Sequence, residues 1–173
     1  MTLPESIGRL TAVRTLVLYG SNLVRIPPDI GDMTSLEEFS PYTSRRLHWF
    51  PYEITRCHRL VNSVVSTRLI DGNYKYQPSF PRLVPPGDTV VDLECLAPAR
   101  WGTTTVRTCS VCTGPISVTG PHQAWLSRVV ATDVLPMLVN ACSQACLGTL
   151  QPGAKGYIPT PHRGGVMEQP PPR

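Results

Sequence analysis

Apolar residues in the first third of the chain come round at a fixed spacing. Leu3, Ile7 and Leu10 are matched 23 residues later by Ile26, Ile30 and Met33, and Val13 and Leu16 by Leu36 and Phe39. After one inserted residue the offset becomes 24, and Leu23, Ile26, Ile30 and Leu36 are matched by Leu47, Phe50, Ile54 and Leu60. Two shorter spacings sit inside each unit. Leu16 and Leu18 are two apart, so both point to one side of a strand. Ile30, Met33 and Leu36 are three apart, which predicts a helical or 3₁₀ turn. Pro4, Pro27 and Pro51 recur with the same period. Each would interrupt a long helix, which argues against a bundle of amphipathic helices.

Further along, the pattern changes. Pro41 predicts an irregular second strand, and the β-branched run Ser63–Thr67 predicts a third. Asp71-Gly72-Asn73 reads as a turn, Tyr74-Lys75-Tyr76 as a short strand, and 77–87 as a loop broken by Pro78, Pro81, Pro85 and Pro86. One more strand is expected within Asp88–Leu96. From Pro121 to Leu138, apolar residues at Trp125, Leu126, Val129, Val130, Val134, Leu135 and Leu138 fall three and four apart, which predicts a helix interrupted at Pro136. From Gln151 on, glycine, proline and polar residues predict a disordered tail.

The run Leu16-x-Leu18-x-x-Ser21-x-Leu23-x-x-Ile26-Pro27 resembles the core pattern of leucine-rich repeat proteins over residues 3–68. That resemblance implies an α/β fold. It implies a short leucine-rich repeat solenoid of about three repeats in 1–70, in which stacked units bury one another's apolar sides. A connecting loop with short strands (71–99), a small zinc-stapled α+β module (100–150) and a disordered Pro-rich tail (151–173) would follow. It also implies a concave partner-binding face lined by the outward strand positions Thr15, Val17, Tyr19, Glu38, Ser40, Tyr42, Asn62, Val64 and Ser66. Tyr19 and Tyr42 occupy equivalent positions on it, and tyrosine is enriched at interaction hot spots. The chain opens inside a unit with no polar cap before Leu3, so a displaced start, a fragment or a degenerate short form is expected.

Cys109-x-x-Cys112 followed by Gly114 has the local form of a zinc knuckle, and Cys142-x-x-x-Cys146 offers an i, i+4 pair on one helix face. Four thiolates make a closed tetrahedral site with Zn–S near ~2.3 Å, which predicts one structural zinc per chain. The pattern is similar to knuckle-plus-helix zinc modules, but it departs from them in the three residues between Cys142 and Cys146. Buried apolar cysteines and redox chemistry at Cys109/Cys112 are the alternatives. Cys57 matches the positions of Leu10 and Met33 and reads as packing. His122 lies between the two pairs and is either a substitute ligand or a turn histidine.

Composition changes the picture little. The six cysteines come without a basic-then-apolar start, which favours metal ligands or thiols over disulfides and a cytoplasmic location. No apolar run of membrane-spanning length occurs, so no membrane association is expected. The net charge of +4 argues only weakly for nucleic acid. No Ser-His-Asp set, phosphate loop or His-Glu-x-x-His pattern appears, so the chain reads as no enzyme. The leading expectation is a protein–protein interaction scaffold with a structural zinc site, its partner another protein. The rival readings are a zinc-ribbon-type nucleic-acid binder with fused repeats, drawing on Arg100, Arg107 and Arg128, and a degenerate repeat fragment without independent activity.

Overall fold

Three segments of like sequence, Glu5–Arg9, Pro28–Asp32 and Tyr52–Arg56, form 3₁₀ turns. Each is entered through a proline in extended conformation (Pro4, Pro27, Pro51), whose fixed φ presets the turn. Each closes when the N–H of Leu10, Met33 or Cys57 reaches the carbonyl of Ile7, Ile30 or Ile54. The turns stack closely. A Cβ on Gly31 would lie 2.6 Å from the Glu53 carbonyl oxygen, and one on Gly8 would lie 2.8 Å from that of Asp29. The computed structural model describes residues 1–66, 70–72, 78–85 and 106–170.

Strands β1 (Thr15–Val17), β2 (Glu38–Ser40) and β4 (Asn62–Ser63) form a parallel sheet in the order β1-β2-β4. The sequence offset becomes its register: Thr15 lies opposite Glu38, and Glu38 opposite Asn62. Beneath it, Ile7, Ile26, Ile30, Met33, Leu36, Phe39, Phe50 and Ile54 are buried together, with Leu16, Leu18 and Val65 against them.

A second sheet has the order β3-β6-β5, built from β3 (Phe50–Pro51), β5 (His122–Val130) and β6 (Asp133–Ala141). β5 and β6 form a hairpin that turns through Ala131 and Thr132, with Ala131 at φ 51°, as tight hairpin turns require. β3 runs parallel to β6, with Phe50 opposite Met137. β6 is the spine of the molecule. Leu135 and Met137 complete the core under the parallel sheet, Leu138 joins Trp49, Phe80 and Trp125, and Val139 and Ala141 pack with Cys109 and Leu147. The two sheets are also tied by polar contacts: Ser63 Oγ lies 2.8 Å from Asp133 Oδ2, and Thr132 Oγ1 donates to the Ser63 carbonyl at 2.8 Å.

This architecture corrects the expected fold class. An α/β leucine-rich repeat solenoid followed by a separate module is not what forms. The described residues hold two small sheets, three 3₁₀ turns and a single five-residue α-helix, α1 (Gln144–Gly148), with no closed solenoid. The periodic stretch does not continue as a self-contained stack, because Phe50-Pro51 is drawn into the second sheet and Val130, Leu135 and Met137 finish its core. The helix expected over Pro121–Leu138 is instead a hairpin. Pro136 would break a helix, whereas in β6 it lies just before the residues that pair with β3. The expected disordered tail is corrected too. Ala154, Ile158 and His162 are buried, His162 bridges Trp125, and Gly165 bridges Phe80. The strands expected at Tyr74–Tyr76 and within Asp88–Leu96 lie outside the described residues.

Candidate metal centre

The knuckle loop is built by backbone. The Cys109 N–H donates to the Gly114 carbonyl at 2.7 Å, the Thr113 N–H donates to the Cys109 carbonyl at 3.0 Å, and Thr108 bridges Pro115. Thr113 takes φ 61°, which turns the chain back sharply. Gly114 leaves room for a ligand sulfur: a Cβ there would sit 3.3 Å from Cys112 Sγ. The N–H groups of Val111 and Cys112 both point at Cys109 Sγ, each at 3.4 Å. Hydrogen bonds of this kind favour a thiolate.

The second pair comes from the end of the hairpin. Cys142 follows β6, and Cys146 lies on α1, whose N-cap Ser143 Oγ accepts the Cys146 N–H at 3.2 Å. Cys112 and Cys142 sulfurs are 3.6 Å apart, and Cys142 and Cys146 sulfurs 3.5 Å apart. These separations are far beyond a disulfide bond, and all of these thiols are free. The sulfurs of Cys109, Cys112, Cys142 and Cys146 all lie within 4.8 Å of one another. A tetrahedron with Zn–S near ~2.3 Å has edges of about 3.8 Å, so the donor set fits a tetrahedral thiophilic ion.

The electrostatics agree. Burial pushes the Cys109 thiol up, but the N–H groups of Cys112, Cys142 and Val111 outweigh it and bring it down to about 7. Cys142 moves the other way, to about 12, because hydrogen bonds with the sulfurs of Cys146 and then Cys112 hold it as the thiol. A set of close thiols cannot all ionise unaided, and a divalent cation is what relieves their repulsion.

Outer contacts fix the loop to the rest of the protein. Arg56 Nη2 donates to the carbonyls of Ser110 and Cys109 at 3.0 and 3.3 Å. Ser110 Oγ donates to Glu53 Oε1 at 2.7 Å and accepts the Asn140 N–H at 2.9 Å. Glu53, Arg56 and Ser110 were not foreseeable as a set, since Glu53 and Ser110 lie 57 residues apart. Burial raises the Glu53 carboxyl, and the Ser110 hydrogen bond offsets part of that. His122 opens β5 opposite Ala141 and is not among the clustered ligands. Cys57 is buried, donates to the Ile30 carbonyl at 3.2 Å, and is pushed up to about 11 by burial, as a packing residue would be.

The other predicted residues lie on and beside the parallel sheet. Thr15, Val17, Tyr19, Glu38, Tyr42, Asn62 and Val64 are exposed, while Ser40 and Ser66 are half-buried. Thr15, Glu38 and Asn62 form a row across the strands, and Thr15 Oγ1 donates to Glu38 Oε2 at 3.3 Å. The Tyr19 and Tyr42 rings stand 5.8 Å apart. Near the cysteines, Arg128 is engaged by Gln151, Trp125 is fully buried and unavailable for base stacking, and Arg100 lies outside the described residues. Among the described residues no helix is long and apolar enough to cross a membrane. No protein-family model matches the chain, no curated protein or solved structure matches it either, and the leucine-rich repeat resemblance therefore has no family match behind it.

Proposed function

We propose that this chain is a non-enzymatic protein–protein interaction module whose C-terminal part is held by one structural zinc ion. The observation that carries the reading is the convergence of four cysteine sulfurs within 4.8 Å. Zinc is the preferred ion because an all-thiolate tetrahedral set suits it and because such sites are closed. When bound, it supplies cross-linking and charge neutralisation, with no open position for a reacting water. Cys109 and Cys112 would hold it from the knuckle loop, Cys142 and Cys146 from the end of β6 and α1. Free thiols in this arrangement suit a reducing compartment, the cytoplasm in this reading.

The partner would meet the outer face of the parallel sheet. Support comes from Tyr19, which is 66% exposed, beside Tyr42 at 43%, flanked by exposed Val17 and Val64. Aromatic residues on a rigid sheet lose little freedom on contact. A photo-crosslinking residue in place of Tyr19 should trap a discrete protein adduct that a Tyr42→Ala change removes. The same probe in place of Val118, exposed in the turn that precedes β5, should not trap it. Equal adducts from both positions would remove the case for this face.

A further inference from the structure

A cavity of about 280 Å³ lies where the stacked 3₁₀ turns meet the chain leading into the knuckle loop. Four carboxylates line it, Glu5, Asp29, Asp32 and Glu53, together with Arg56 and Arg107. Asp29 and Glu53 hold matching positions in successive turns, so the sequence offset itself sets acids side by side along this wall. Neither arginine forms an ion pair with any of the four. The Arg56 guanidinium is turned to the carbonyls of Cys109 and Ser110 instead.

Glu53 is the telling residue. It is 1% exposed, its Oε1 is taken by Ser110, and its Oε2 is buried with no hydrogen-bond partner. A buried, unpaired carboxylate oxygen is costly unless something satisfies it. Burial, and then the charges of Glu5 and Asp32, raise the Asp29 carboxyl against the pull of its own backbone N–H and of Arg107, and the wall carries four acids to two arginines. A bare metal ion does not fit that need. Among the described residues only the four cysteines converge closely enough to hold one. Spread carboxylates around a roomy cavity suit an extended donor with several N–H groups.

We propose that this cavity receives an organic cation, an alkylammonium or guanidinium group, with Glu53 and Asp29 as its principal acceptors and the exposed Glu5 and Asp32 adding outer charge. The site is distinct from the metal centre and does not depend on it for its ligand. The cation belongs either to a small free amine or to a lysine or arginine side chain of a protein.

Calorimetric titration of the full, zinc-supplemented chain tests this, with agmatine as the free cation and an arginine tripeptide blocked at both ends as the side-chain mimic. Saturable binding is expected for at least one of them. The tighter of the two assigns the source. Glu53→Gln and Asp29→Asn should each weaken it about tenfold or more, the usual loss when a charged hydrogen-bond partner is removed. Glu37→Gln, at the Arg14 pair, should leave it unchanged. Asp29→Asn makes no bond to the knuckle loop, so it keeps the test informative if Glu53→Gln fails to fold. Absence of saturation by either probe in the millimolar range, or equal weakening by Glu37→Gln and Asp29→Asn, overturns the proposal.

Discussion

The parallel sheet and the hairpin with its knuckle reach order by different routes. Under the parallel sheet, one short apolar spacing is used again and again: Ile7, Ile30 and Ile54 hold one level, Leu16 and Phe39 another. Around the hairpin nothing repeats. Trp125 is held between Trp49 and Phe80, each with its ring centre 5.5 Å away, and its Nε1 donates to Pro81. Cys109 and Cys112 must find Cys142 and Cys146 across the whole hairpin. A staple is needed where local spacing supplies no core. Local repetition brings apolar residues together at small entropic cost, whereas the knuckle and α1 bury few large side chains and close a long loop.

The largest effect should therefore come from the metal. Cys109→Ser, or a strong chelator, should abolish metal binding and collapse amide protection across the knuckle loop and α1, while β1 and β2 keep much of theirs. Structural zinc contributes on the order of 10 kcal/mol at neutral pH, more than any single core truncation. Hydrogen exchange followed by mass spectrometry reads the two regions separately. Equal loss in both would erase the distinction.

Core truncation comes next. Phe39→Ala and Trp125→Ala should each cost about 3–5 kcal/mol in urea unfolding. With metal bound, both variants should unfold in one transition, because Val130, Leu135 and Met137 share a cluster with Ile30 and Phe39.

Acid should act on the hairpin side. His162 is buried, its Nδ1 accepts the Gly164 N–H at 3.1 Å, and burial pushes it down from 6.5 to about 4. The unfolded chain takes up this proton at higher pH than the folded one. The contribution is whole above about pH 6.5 and is lost as pH falls toward 4, by at most about 3 kcal/mol. The difference between the parent and His162→Gln across that window isolates this from loss of metal.

How much of this was legible depended on whether a signal was local. The offset of Leu16 to Phe39 became strand register because both sit on one face of neighbouring strands. Cys109-x-x-Cys112 and Cys142-x-x-x-Cys146 were legible because short spacings confine sulfurs to one turn. The repeat family inferred from that offset has no family match behind it, and the solenoid it implied does not form, since β3 leaves the periodic stretch to pair with β6. The hairpin was misread as helix for a definite reason. Leu135 to Ala141 is buried continuously, so the alternation that marks a half-buried strand is absent. The tail read as disorder from its glycines and prolines, yet Gly164 is what lets it approach Pro81: a Cβ there would lie 2.1 Å from that carbonyl oxygen. Nothing local marked Glu53, because its partner Ser110 is remote in sequence.

Two smaller effects sharpen the contrast. Gly31→Ala should destabilise the parallel side by about 1–3 kcal/mol, since the new Cβ meets the backbone of Glu53. Tyr19→Ala should change stability by no more than about 0.5 kcal/mol, because the ring is mostly exposed, and should act on partner capture instead.

The most direct test is the zinc content of the full chain purified without added metal or chelator, by elemental analysis against protein concentration. One zinc per chain is expected, falling to background in Cys109→Ser. A parent chain with no stoichiometric metal, and with amide protection at the knuckle loop unchanged by chelator, would contradict it.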